Sequence, residues 1–111
     1  MNAIEDAFDW LFGQDSMGRL RADWMTGSDD RILEFLEDTG AGHSLRGIEN
    51  NFAERGQSIS YTTLKRRIPK LEEAGLIYEI EGEGSYYAIT EKGEDYLREE
   101  EDLRDEPEPH V

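Results

Sequence analysis

Apolar residues recur first at a helical period, then in short strand-like runs, and finally not at all. In residues 2–13, Ile4, Ala7, Phe8, Leu11 and Phe12 fall at i, i+3, i+4, i+7 and i+8, the stripe of an amphipathic helix that stops near Gly13. A polar break from Gln14 to Gly18 follows. Ile32, Leu33, Phe35 and Leu36 then mark the buried side of a second helix. Ser28 is its expected N-cap, Asp29 and Asp30 lie in the first turn where the helix dipole favours anions, and Thr39-Gly40 ends it. Ser44 caps a short helix carrying Leu45, Ile48 and Phe52, which runs into a turn at residues 54–58.

The next helix has the strongest start signal. Ser60 is the expected N-cap, and Ile59 and Leu64 have the spacing of a hydrophobic staple. Leu64, Ile68 and Leu71 continue its stripe, and Ala74-Gly75 ends it with glycine at the left-handed position. Pro69 removes one backbone donor inside this segment, so the helix is expected either to bend there or to be two pieces. Leu76–Ile80 and Tyr86–Ile89 read as paired strands around the loop Gly82-Glu83-Gly84-Ser85. Thr90 caps a last helix with Tyr96 and Leu97. Beyond Arg98 the acidic run and Pro107-Glu108-Pro109 offer little to bury, and disorder, or a frayed helix followed by disorder, is expected there.

Helix, short helix, turn, longer helix, hairpin, helix is the order of a winged helix-turn-helix domain: a three-helix core, a two-stranded wing and a C-terminal helix, mainly α. The expected organisation is an amphipathic extension over 1–16, the domain over 17–98 and an acidic tail over 99–111. In this architecture the second helix of the helix-turn-helix enters the major groove, N-terminal residues first. With Leu64 at 0°, Thr62 falls at about 160° and Arg66 at about 200°, both directly opposite the buried side, while Lys65, Thr63 and Lys70 flank them at about 100°, −100° and −120°. Arg67, at about −60°, leans back toward the body, and Tyr61, at about 60°, is half turned inward.

Charge sharpens this picture. The chain has 111 residues, one domain's worth, with 12 Lys+Arg against 27 Asp+Glu and a net charge of −15. Residues 1–16 contribute −4 and residues 99–111 −6, leaving −5 for 17–98. Within that stretch, Arg46, Arg55, Lys65, Arg66, Arg67 and Lys70 against Glu49 and Glu54 give residues 46–70 a net +4. A basic island in an acidic chain is either a solvated helix face or an anion-binding surface, with phosphate the obvious anion. Arg reads guanine bidentately, Thr meets a base edge or a thymine methyl, and Lys neutralises phosphate. The overall acidity fits either halophilic adaptation or an ordinary acidic protein with an acidic tail.

Other chemistry is poorly supplied. There is no Cys, which excludes a disulfide scaffold, a zinc ribbon and a thiol nucleophile, and only His43 and His110 are present. No cofactor, metal or catalytic constellation is expected. No run approaches the ~20 apolar residues of a membrane span, and the start of the chain is acidic rather than basic, so a soluble cytoplasmic protein is expected.

Trp24-Met25-Thr26-Gly27-Ser28-Asp29-Asp30-Arg31-Ile32-Leu33-Glu34, Ile59-Ser60-Tyr61 through Leu71, Glu73-Ala74-Gly75-Leu76-Ile77, and Tyr86-Tyr87-Ala88-Ile89-Thr90-Glu91-Lys92-Gly93 resemble the haloarchaeal winged-helix proteins related to the phage phiH repressor. More distantly they resemble winged-helix regulators of the MarR and PadR type. The resemblance spans about residues 17–98 and implies a dimeric transcriptional regulator acting on double-stranded DNA, most simply a repressor. It implies base contact by Thr62, Thr63 and Arg66 and backbone contact by Lys65, Arg67 and Lys70. Ser60 and Tyr61 complete the expected DNA-binding set. Glu81 and Glu83 stand where a wing usually carries Arg or Lys, which argues against minor-groove insertion. Two other readings stay open: a winged-helix module that docks a protein, and a regulator with a small-molecule effector in an apolar pocket. The stripe over 4–12 and the last helix around Tyr96 and Leu97 are candidate dimer interfaces.

Overall fold

The computed structural model describes residues 18–111. The amphipathic stripe of residues 4–12 lies outside the described residues.

Four helices and a hairpin follow in order: α1 (Gly27–Thr39), α2 (Leu45–Glu54), α3 (Tyr61–Glu73), β1 (Ile77–Ile80), β2 (Tyr86–Ile89) and α4 (Glu91–Leu97). The arrangement is a winged helix-turn-helix, mainly helical. Ser44, Ser60 and Thr90 all cap as the sequence indicates, each side chain accepting a backbone N–H three residues on, from Gly47, Thr63 and Gly93. α1 starts earlier than expected. Its N-cap is Thr26 rather than Ser28, and the Asp29 carboxylate accepts the Thr26 N–H at 2.9 Å. Asp29 and Asp30 are therefore not solvated dipole partners; they are 0 % and 1 % exposed. Pro69 sits inside α3, which runs as one element from Tyr61 to Glu73.

The stripes converge on one core. Ile32, Leu33, Phe35 and Leu36 of α1 meet Ile48 and Phe52 of α2, Leu64, Ile68 and Leu71 of α3, and Leu76, Ile77 and Tyr96. Each such side chain contributes about 1.5–3 kcal/mol over its exposed state. Tyr96 and Leu97 belong to this core at 0 % and 6 % exposure, so burial in their own domain removes them as a dimer surface.

β1 and β2 pair antiparallel, Ile77 opposite Ile89 and Ile80 opposite Tyr86. His43 extends the hairpin by exchanging both backbone hydrogen bonds with Tyr87 at 2.9 Å. The Thr-Glu-Lys-Gly segment after β2 acquires a physical role. The Thr90 hydroxyl donates to the Gly75 carbonyl at 2.6 Å, and Lys92 Nζ donates to the Ala74 carbonyl at 2.9 Å. A Cβ on Gly93 would lie 2.3 Å from the Leu76 carbonyl oxygen, so only glycine permits this approach. Together these contacts close the C-terminal end of α3 against the start of α4.

The expected disorder beyond Arg98 is not what the structure shows. Residues 99–111 form a strap laid back across the body. Leu103 is 1 % exposed, and its N–H bonds to the Leu20 carbonyl at 2.9 Å. The Trp24 indole N–H donates to the Glu106 carbonyl at 3.2 Å, and Lys92 pairs with Glu106 at 2.7 Å. Composition misleads here because one buried leucine and a few non-local polar contacts anchor an otherwise hydrophilic segment.

Candidate nucleic-acid interface

The face of α3 opposite its core stripe is built by simple helical geometry. Leu64, Ile68 and Leu71 are buried, and Thr62, Lys65 and Arg66 are exposed on the other side. At the entry to the helix, the Ser60 hydroxyl accepts the Thr63 N–H at 3.1 Å and donates to the Thr63 hydroxyl at 3.0 Å. Tyr61 is half-buried, with the Arg46 guanidinium stacked on its ring at 3.8 Å and Lys65 Nζ at 6.0 Å. The structure thus gathers Ser60, Tyr61, Thr62, Thr63, Lys65 and Arg66 on one surface.

Arg67 does not join them. Its Nε and Nη2 donate to the two carboxylate oxygens of Asp29 at 2.9 and 2.7 Å, and Nη2 also donates to the Trp24 carbonyl at 3.1 Å. These hydrogen bonds hold the guanidinium above its ordinary pKa, outweighing its partial desolvation. The backbone contact expected of Arg67 is replaced by a structural pairing, because a carboxylate as buried as Asp29 requires a cation. Lys70 is also occupied: its ammonium donates to Glu108 at 3.2 Å and to the Pro109 carbonyl at 3.3 Å.

The distribution of paired cations sets the electrostatics. All twelve Lys and Arg lie among the described residues, and nine have a carboxylate within 4.0 Å. Arg31, Lys65 and Arg66 are the exceptions among the described residues. Arg31 bonds to the Ser28 hydroxyl at 3.2 Å within α1. Lys65 and Arg66 are therefore neighbouring exposed cations without a carboxylate partner, in a chain where acids outnumber bases by 27 to 12.

A cleft beside this face is lined by Thr26 and Ser28 from the start of α1, Thr63, Lys65, Arg66, Pro69 and Lys70 from α3, and Val111 from the strap, with the Asp29-paired Arg67 also in its wall. The wing tip, residues 81–85, is exposed and carries Glu81 and Glu83. Exposed Tyr78, Ile80 and Tyr86 give the hairpin an apolar side.

Three contributors have no individual site signature in the sequence. Arg46 was visible only as part of the basic island; its stacking on Tyr61 joins two helices and has no local signature. Thr26 and Ser28 line the cleft next to the point where Arg67 ties the start of α1 to α3, a pairing with no local signature. Among the described residues no group of three or more His, Cys, Asp or Glu side chains is placed to hold a metal. No helix among them is long and apolar enough to cross a membrane.

Comparison with known proteins agrees with the fold. Residues 17–108 match the winged helix-turn-helix phage repressor family. The fold is similar to the crystal structure of the PhiH1 repressor-like protein from Haloarcula marismortui, with 33 % identity and a TM-score of 0.68. That similarity covers 82 % of this chain and 97 % of the other. No curated protein matches the chain. With residues 17–108 matched and the helix-turn-helix, wing and closing helix all in place, the protein belongs to the winged helix-turn-helix phage repressor family.

Proposed function

We propose that the protein is a sequence-specific DNA-binding transcriptional regulator, acting as a repressor, that places α3 in the major groove of double-stranded DNA. The observation that carries this reading is the unpaired Lys65–Arg66 face beside the exposed Thr62 hydroxyl. Lys65 and Arg66 are exposed and have no carboxylate partner among the described residues, so on a strongly acidic surface they are free to pair with an external anion. Thr62, Thr63 and Arg66 would read base edges. Lys65, with Arg46 on the neighbouring helix, would meet phosphates.

A dimer fits this reading, since one such helix covers a half-site and two-fold related half-sites lie about 34–36 Å apart. The acidic wing supplies a phosphate-repelling edge rather than a minor-groove probe. That edge, with exposed Tyr78, Ile80 and Tyr86, is the observation that favours the second reading, a winged-helix module docking a protein partner.

Selection from a random duplex pool in potassium-rich buffer tests the first reading. Recovery of a two-fold symmetric motif is expected. Enrichment of no sequence, with no retention of duplex even at low salt, would overturn DNA binding in favour of the protein-docking module.

A further inference from the structure

The acidic strap does more than cover the core. After the Leu103 and Glu106 anchors it turns toward α3 and ends on the DNA-reading side. Glu108 reaches Lys70 at 3.2 Å, and the Pro109 carbonyl reaches the same ammonium at 3.3 Å. Pro109 is buried, and Val111 lines the cleft shared by Thr63, Lys65 and Arg66. The Lys70 side chain is 16 % exposed, although its position on α3 turns it toward solvent.

We infer that the strap is an intramolecular competitor of nucleic acid, with Glu108 occupying at Lys70 the place a DNA phosphate would take. The inference rests on the DNA-binding reading above. Lys70 Nζ already donates to two oxygens of the strap, and the Glu108 carboxylate both neutralises the ammonium and repels a phosphate brought up beside it. Strap docking and duplex binding therefore oppose each other. DNA must displace residues 108–111, while Leu103 and Glu106 keep the strap tethered nearby. The Glu108 side chain is 64 % exposed, so its pairing is weak and screened by salt. The device thus lowers affinity modestly at low salt and fades as salt rises. Because any duplex must displace the strap, matched and scrambled duplexes lose affinity by the same factor.

The test compares the full chain with Glu108→Gln, Asp105→Asn and Lys70→Gln on the selected duplex and on a scrambled duplex. Asp105 is exposed on the same strap, so D105N removes the same charge without touching Lys70. At about 0.1 M salt, E108Q is expected to bind about two- to fivefold tighter, the range an exposed ion pair of up to ~1 kcal/mol can give. D105N should bind like the parent. The gain should vanish on the Lys70→Gln background and at about 1 M salt, where the Debye length is ~3 Å. Equal affinity of E108Q and parent, or an equal gain in D105N, overturns the competitor. If no form binds any duplex, the DNA-binding reading itself fails and the inference falls with it. Amide spectra give an independent readout. On saturation with duplex, the signals of residues 108–111 should move while the Leu103 amide stays protected from exchange; unmoved strap signals also overturn the inference.

Discussion

Arg67 and Asp29, 38 positions apart, meet in a two-pronged pair in which both carboxylate oxygens of a fully buried aspartate accept from one guanidinium, at 2.9 and 2.7 Å. The same carboxylate accepts the Thr26 N–H, so one acid both caps α1 and ties it to α3. The pair links α3 to the start of α1. Beside it, Thr26 and Ser28 share a cleft with Thr63, Lys65 and Arg66.

Removing the cation is expected to be a stability lesion rather than a simple binding lesion. Arg67→Ala should cost about 3–5 kcal/mol, because it leaves a buried carboxylate uncompensated. Arg67→Lys should recover only part of this, since an ammonium cannot span both oxygens. Urea unfolding measures both. An R67A variant as stable as the parent would show that the pair does not hold the helix.

Arg66 and Arg46 should separate into two kinds of binding loss. Arg66→Ala is expected to lose about 1–3 kcal/mol on the preferred duplex and to relax selectivity at one base position. Arg46→Ala should weaken all duplexes alike and lower the salt slope by about one. Fluorescence anisotropy across a salt series on matched and single-substituted duplexes distinguishes them. Thermal melts should show both variants folded, as both side chains are exposed.

His43 gives the fold an acid sensitivity. Burial, then the nearby Arg55 charge, lowers its pKa below the ordinary histidine value of 6.5. The ring packs 4.7 Å from Phe35, and Nε2 lies 2.9 Å from the Thr39 hydroxyl. Because the unfolded chain takes up the proton more readily, the His43 contribution is complete above about pH 6.5 and is lost as pH falls from there through the lowered folded-state pKa. Melting temperature should therefore fall between about pH 7 and 5, and His43→Gln should flatten part of that fall. A proton NMR titration placing the His43 midpoint at or above that of a free histidine peptide would contradict this.

The acidity itself predicts a response to salt. With a net charge of −15 on 12.8 kDa, like-charge repulsion opposes compaction. Screening relieves it as the Debye length falls from ~10 Å at 0.1 M to ~3 Å at 1 M. Melting temperature is expected to rise with potassium chloride over about 0.1–2 M, a range spanning that change. A flat or falling curve would refute a halophilic origin of the charge. The same salt weakens phosphate contacts, so under the proposed function binding there would lean on the base contacts proposed for Thr62, Thr63 and Arg66.

What the sequence determined by itself was local. Apolar spacing placed α1 to α4 and the hairpin; Ser44, Ser60 and Thr90 announced three helix starts; and the helical angles of Thr62, Lys65 and Arg66 put them on the outer face. These features depend on residues within one or two turns of each other, where geometry follows directly from order along the chain. Tertiary structure decided the rest. It took Arg67 for Asp29, because a buried carboxylate outbids solvent for a nearby guanidinium. It moved the α1 cap to Thr26, stacked Arg46 on Tyr61, and folded a tail of disordered composition onto Leu20, Trp24 and Lys70. The Thr26 cap is local, through Asp29 three residues on, but the others join residues far apart in sequence, and their pairing energies exist only once the core has brought the partners together.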